Sequence, residues 1–225
     1  MVSDGVSFNL REKFGLRLCA GLDGGGGLPT LFRSRALTEA TEEDVEALRA
    51  LGIEVVYDLR KEAERVANPE PATVRSAFEV RICPVDLQDD ESRTQETKSR
   101  HVKAAYGRPG ERMRFLYGVM ADHAGAVRSI ARSVIADGKP ALVHCANGKD
   151  RVGVVCASVQ LACGVSRNAE MNRRDLAHYA GLMPPDAVEV LAAMFEAREE
   201  YLEVFLGLIE ARFGSFHAWA GHLYK

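Results

Sequence analysis

This chain is short of several things, and each shortage narrows what it can be. Its five cysteines, at positions 19, 83, 145, 156 and 163, are an odd number without a paired spacing. That argues against a disulfide framework and shows no zinc pattern, so a reducing compartment, with the cytoplasm as default, is the expectation. No run of about 18 apolar residues occurs, so no stable membrane insertion is expected. The opening Met1-Val2-Ser3-Asp4-Gly5 lacks the basic start and apolar stretch of a secretory leader. The net charge of −3 exerts no general pull toward nucleic acid or acidic lipid, so any attraction for an anion has to be local. Four consecutive glycines, Gly24 to Gly27, are not followed by Lys-Ser or Lys-Thr, so they read as a surface turn rather than a nucleotide-binding loop.

What is present fits a globular domain. An apolar fraction of 47% over 225 residues supplies a substantial core, and no linker divides it, so residues 1–225 are expected to form a single domain. Thr41 and Asp44 have capping-box spacing ahead of an apolar face at Val45, Leu48 and Leu51, which Gly52 ends. Ile53 to Leu59 and Phe78 to Val85 read as strands, and Met113 to Ile135 as helix. Pro184-Pro185-Asp186 starts a further helical region with a buried stripe at Leu202, Phe205, Leu206 and Ile209. Strands alternating with helices imply an α/β three-layer sandwich with a mainly parallel central sheet flanked by helices, its site at the carboxyl ends of strands. From Gln88 to His101 no large apolar side chain occurs, so a mobile loop over about 87–105 is expected to close over the site.

The chemistry concentrates in His144-Cys145-Ala146-Asn147-Gly148-Lys149-Asp150-Arg151-Val152-Gly153. Ala141-Leu142-Val143 leads in as a buried strand, while Val152, Val155, Cys156, Val159 and Cys163 lead out at helical spacing, with Gly164 as the stop. A turn feeding a helix amino terminus gathers unpaired N–H groups and the positive end of the helix dipole, which suits a phosphoryl group. The amides from Ala146, Asn147, Gly148, Lys149 and Asp150 to Arg151 would cradle it, and Arg151 would add a bidentate contact. Cys145 would lie beneath phosphorus as the nucleophile, since the field that holds phosphate also favours thiolate over thiol.

The motif resembles the active-site loop of bacterial tyrosine phosphatases of the secreted mycobacterial and listerial lipid-and-protein phosphatase type. Phe32-Arg33-Ser34, then Tyr57-Asp58-Leu59-Arg60 with Glu64, and Phe213-Gly214-Ser215 resemble further segments of that family, so the likeness spans nearly the whole chain. It implies hydrolysis of a phosphate monoester through a cysteinyl-phosphate intermediate, with no metal or other cofactor. Phosphotyrosine on a protein is the favoured substrate, with a phosphoinositide as alternative; Lys149 would contact a second anionic group. The resemblance also makes Asp86 the first candidate for the acid that protonates the leaving group, with Asp89, Asp90 and Asp150 as rivals. Arg33, His144, Asp58 and Arg60 are then supports of the loop, although Arg60 and Glu64 also have the spacing of a helical surface pair. His178 reads as structural and Asn172, Arg173 and Arg174 as solvated surface.

One position departs from the pattern. Serine or threonine often follows the loop arginine in cysteine phosphatases, and here Val152 stands instead. A non-catalytic phosphate-binding module and a sulfurtransferase-like thiol enzyme therefore stay open beside the phosphatase, and oligomeric state is not legible.

Overall fold

The computed structural model describes residues 6–85, 108, 110–165 and 198–221. Within them the chain runs α1 (Phe8–Phe14), β1 (Arg17–Asp23), a 3-10 turn (Gly25–Gly27), β2 (Thr30–Arg35), α2 (Glu42–Ala50), β3 (Val55–Asp58), α3 (Glu62–Ala67), α4 (Ala72–Ala77) and β4 (Glu79–Ile82). It continues through α5 (Glu111–Asp122), α6 (Ala124–Asp137), β5 (Ala141–Cys145), α7 (Asp150–Ala162), α8 (Glu199–Phe213) and α9 (Phe216–Ala220).

Local chemistry sets several boundaries. Thr41 closes the expected capping box on α2, its hydroxyl accepting from the Asp44 amide at 3.3 Å while Asp44 accepts from the Thr41 amide at 2.9 Å. The strand expected over Phe78 to Val85 is shorter, ending at Ile82, because Pro84 has no N–H for a ladder. Its continuation is still tied down, with Cys83 and Val85 donating to Asp58 and Leu59 carbonyls. The helix expected from Met113 to Ile135 is two helices, α5 and α6, since the chain turns at His123, whose amide bonds back to Met120 and Val119 carbonyls.

Two compact units result. The first comprises residues 1–85, 125–167 and 220–225, and holds the sheet, in the order β1-β2-β5-β3-β4. Four strands are parallel and β1 is an antiparallel edge, so the expected mainly parallel α/β sandwich is what forms. Side chains alternate between the two faces. Phe32, Val56 and Leu142 pack with Leu10 and Phe14 of α1, Val45 and Leu48 of α2, and Val74 of α4. The opposite face carries Tyr57, whose hydroxyl meets Ser133 of α6 at 3.0 Å, and Cys19, which meets Cys156 of α7. β5 lies between β2 and β3 and is buried along its whole length, so the turn after Cys145 emerges from the middle of the sheet.

The second unit, residues 86–124 and 168–219, includes α5 and α8. They pack through Tyr117 and Tyr201, ring centroids 5.9 Å apart, with Arg114 bonded to Glu200 at 2.6 Å. Phe205, Leu206 and Ile209 are buried as the stripe requires, whereas Leu202 is half-buried and Tyr201 takes the fully buried position.

Candidate active site

The turn after β5 is pinned against the end of β2 by its carbonyl groups. Ala36 donates its amide to Ala146 O at 3.2 Å, and Arg33 Nη2 donates to Gly148 O at 2.8 Å and Lys149 O at 3.1 Å. In a planar trans peptide the N–H points opposite to the C=O. Fixing these three carbonyls therefore turns the amides of Asn147, Lys149 and Asp150 the other way, as a row of donors at the amino end of α7. Gly148 makes the close approach possible. Its φ is +65°, and a Cβ there would lie 2.5 Å from both C and O of Ser34 and 2.6 Å from the Arg35 amide nitrogen. Only glycine fits both the backbone angle and the gap.

Arg151, in the first turn of α7, is 7% exposed. Its Nη1 and Nη2 donate to Glu64 at 2.6 and 2.8 Å, and Nη1 also reaches Leu59 O at 3.4 Å. A guanidinium has five N–H donors in a fixed plane. Glu64 takes one from each Nη and Leu59 takes the second of Nη1, which among the described residues leaves Nε–H and the other Nη2–H. Those two lie on one edge and form a parallel fork matched to two oxygens of a phosphate. Burial works against the Arg151 charge, but Glu64 first, then Cys145 and Asp150, hold its pKa above the ordinary arginine value. Burial likewise pushes Glu64 up, and its bonds from Arg151 outweigh this and leave it below the usual carboxylate range.

The other face of β5 carries a buried ionic network. Arg60 binds Asp58 at 2.9 and 2.8 Å and lies 3.5 Å from Glu70. His144 Nε2 is 3.0 Å from Glu70 Oε1, in a contact too bent to count as a hydrogen bond. Burial raises Glu70, yet the neighbouring His144 and Arg60 bring it below its ordinary value. Asp58, Glu70 and His144 present potential ligand atoms within 4.8 Å of one another. The Arg60 guanidinium already supplies the positive charge between the two carboxylates, so the cluster reads as an ionic support rather than a metal site.

Of the residues singled out from sequence, the structure brings together Cys145, the loop through Arg151, Arg33, His144, Asp58 and Arg60. Cys145 is 3% exposed at the last position of β5, and Asn147 is exposed. Lys149 is buried and lies 3.3 Å from Asp150. Asp86, Asp89, Asp90, the 87–105 segment, Asn172 to Arg174 and His178 lie outside the described residues. Glu64 does not form the helical surface pair with Arg60 that its spacing allowed; it accepts from the Lys61 amide at 3.0 Å and from Arg151, far along the chain. Glu70 is a member of the network that the sequence hardly marks. Its one local signal is the run Asn68-Pro69-Glu70-Pro71, where an acid is set between two stiff residues.

A turn with a cysteine at its start and an arginine in the following helix lies at the carboxyl end of the central strand of a mainly parallel sheet, and this α/β fold is consistent with the cysteine-phosphatase class. Residues 26–224 match the tyrosine phosphatase family, and the chain belongs to that family. It is 30% identical over 215 residues to "Putative tyrosine-protein phosphatase H16_A0669" of Cupriavidus necator, covering 87% of this chain and 76% of that one. It is 35% identical over 158 residues to "Triple specificity protein phosphatase PtpB" of Mycobacterium tuberculosis, covering 61% of this chain and 57% of that one. Phosphatase chemistry on phosphorylated substrates is thus its activity class. Among the described residues no helix is long and apolar enough to cross a membrane.

Proposed function

We propose that the protein is a cysteine-dependent phosphatase of the lipid-and-protein type that hydrolyses phosphate monoesters, with phosphotyrosine as the favoured substrate. Cys145 sulfur attacks phosphorus, the bond to the leaving oxygen breaks, and a carboxylic acid gives that oxygen its proton. Water then attacks the phosphocysteine, the same carboxylate takes a proton, and phosphate leaves with the sulfur restored. Arg151 and the amides of Asn147, Lys149 and Asp150 hold the charge on the equatorial oxygens through both steps. The observation that carries the reading is the Nε/Nη2 edge of Arg151, the side of the guanidinium that Glu64 and Leu59 leave open among the described residues. Asp86 is assigned as the acid on the family resemblance. Asp150 is its rival, held at the loop beside Lys149.

Val152 is fully buried and offers no hydroxyl after Arg151, so the second step is expected to be the slower one. A burst of product followed by slower turnover is its signature. The word "triple" in the mycobacterial relative's name supports a second substrate class here, and a phosphoinositide is the alternative, with Lys149 beside the second anionic group.

The test is hydrolysis of para-nitrophenyl phosphate by wild type and Cys145→Ser with EDTA present. Wild type retains activity in the chelator and Cys145→Ser loses it; a serine variant that turns over at the wild-type rate refutes the mechanism. Comparing kcat/KM on a phosphotyrosine peptide with that on soluble inositol phosphates decides the substrate class.

A further inference from the structure

Two cysteines that play no part in this chemistry meet in the core of the first unit. Cys19 of β1 and Cys156 of α7 are 137 positions apart in sequence, yet Cys19 Sγ lies 3.4 Å from Cys156 Sγ and donates to it. The five cysteines show no paired spacing as a sequence, but the fold pairs two of them as thiols. We propose that Cys19 and Cys156 are a dithiol site that a hydroperoxide oxidises to a disulfide, tying the edge strand β1 to the helix that carries Arg151.

Three observations support the assignment. The first is geometric. A disulfide bond is about 2.05 Å long, so the sulfurs need to close by only roughly 1.4 Å. The strand and helix are already held against each other on the same stretch, since Gln160 Nε2 donates to Ala20 O at 2.8 Å. A Cβ on Gly21 would lie 2.6 Å from Val165 Cγ1, so β1 just beyond Cys19 packs closely on the side chain of Val165, three residues past α7.

The second is chemical. The bond from Cys19 lowers the pKa of Cys156, and the guanidinium groups of Arg33 and Arg17 lower it further against the opposing effect of burial. The same bond, with burial, raises Cys19. One sulfur is thus biased toward thiolate and the other toward keeping its proton, which are the roles of an attacking and a resolving thiol.

The third is access. The pair is buried, at 4% and 2% exposure, but Ala20 and Gly21 beside it are exposed and β1 is the outer strand of the sheet. A small neutral oxidant has one layer to cross, and edge elements open at low cost.

The reaction balances with one peroxide. Cys156 thiolate attacks a peroxide oxygen, an S–O bond forms, the O–O bond breaks, and the departing hydroxide takes a proton to become water. Cys19 sulfur then displaces hydroxide from the Cys156 sulfenic acid, losing its own proton as the S–S bond forms and a second water leaves. Two thiols supply two electrons, and the peroxide is reduced to two waters.

The experiment uses the full chain carrying Cys145→Ser, so that its outcome does not depend on the phosphatase reading. The protein is exposed to hydrogen peroxide, then digested without reductant and analysed by mass spectrometry. The expected result is a Cys19–Cys156 linked peptide two hydrogens lighter than its parts, abolished by dithiothreitol. A Tm rise of roughly 5–10 °C, reversed by the same reductant, should accompany it. Cys19→Ala and Cys156→Ala, which keep a small apolar group in the core, should show neither. The proposal is overturned if the linked peptide is absent at peroxide doses that oxidise the half-buried Cys83 and Cys163, or if Cys19→Ala shows the same reversible Tm rise.

Discussion

Glu64→Gln is the substitution with the most to say about how this site works, because it changes one oxygen to an amide and leaves the shape intact. Glu64 holds Arg151 through two short charge-assisted bonds at 2.6 and 2.8 Å. Glutamine keeps one acceptor and turns an N–H₂ toward a guanidinium that has only donors, so one bond is lost and a donor faces a donor. Breaking a fully buried ion pair costs about 3–5 kcal/mol. Arg151 is 8% exposed at its side chain but Glu64 is 26% exposed, so water relieves part of this and about 2 kcal/mol is the better figure. For a chain of this length that corresponds to a Tm lowered by about 4–8 °C.

The effect on rate should be larger than the effect on stability. Glu64 aims the free edge of Arg151, and misplacing a catalytic group by about 1 Å can cost 100-fold. A fall of about 10²-fold in kcat/KM is therefore expected, equal to about 2.7 kcal/mol of lost transition-state stabilisation. The fork binds substrate and holds the transition state more tightly still, so KM should rise while kcat falls, and vanadate should bind more weakly. Steady-state kinetics, vanadate inhibition and thermal melting of the same preparation provide the three readouts. A folded Glu64→Gln enzyme with kcat/KM and vanadate affinity within about threefold of wild type would refute the idea that Glu64 aims Arg151.

Gly148→Ala should be far more damaging than Gly138→Ala, although both glycines have positive φ, +65° and +61°. A Cβ at 148 meets backbone at 2.5 Å and one at 138 meets nothing within 4 Å, so melting should show about 1 kcal/mol lost at 138 and several times that at 148. Acid should destabilise the protein through Glu64 and Glu70, whose pKa values are depressed by folding. Their contribution is complete above the ordinary glutamate value near 4.3 and is lost as pH falls through the lowered folded values. Tm should hold from pH 7 to about 5 and drop below that, less steeply in Glu64→Gln; an identical acid profile in that variant would count against the linkage. Asp86→Asn should lower kcat by about 10² or more on an aryl phosphate whose leaving phenol has a pKa near 10. If Asp150→Asn has that effect and Asp86→Asn does not, the acid is Asp150.

The parts of the site that are legible in the sequence are the local ones. A buried strand, a glycine turn and an apolar helix leave their marks within one stretch of chain, so the order of residues from His144 to Arg151 is enough to define the loop. The parts that are not legible depend on register between distant segments. Glu64 reaches Arg151 across 87 positions, and no periodicity reports that. Glu70 acts through its place beside His144, which parallel pairing of β3 and β5 sets up by bringing Asp58 opposite His144. The need for glycine at 148 comes from β2 pressing on the loop, and the pairing of Cys19 with Cys156 comes from the packing of β1 on α7. Lys149 looks like a loop residue by composition and is buried because the same contact with β2 draws the loop inward.

The charges around the loop explain why a net charge of −3 is no obstacle to binding a dianion. Among the described residues, Arg33, Arg60, Lys149 and Arg151 engage the loop or its supports, Arg65 and Arg75 donate to the Arg60 and Glu70 carbonyls behind them, and Asp58, Glu64, Glu70 and Asp150 are carboxylates interleaved with these cations. The carboxylates offset most of that positive charge. Attraction for phosphate therefore need not rest on a large excess of positive charge. In the proposed reaction direction matters as much: each carboxylate fixes a cation from behind, each pinned carbonyl turns the next amide outward, and the donors left over are the ones proposed to meet the phosphoryl group. Water would have to be reoriented to stabilise charge developing on a phosphoryl group, whereas these donors are already aligned before substrate arrives. The alternation of strand side chains makes this possible, because Arg33 secures the loop from one face of the sheet while Asp58 and His144 secure it from the other. A single-faced support would leave the turn free to tilt, and the Arg151 fork would lose its aim.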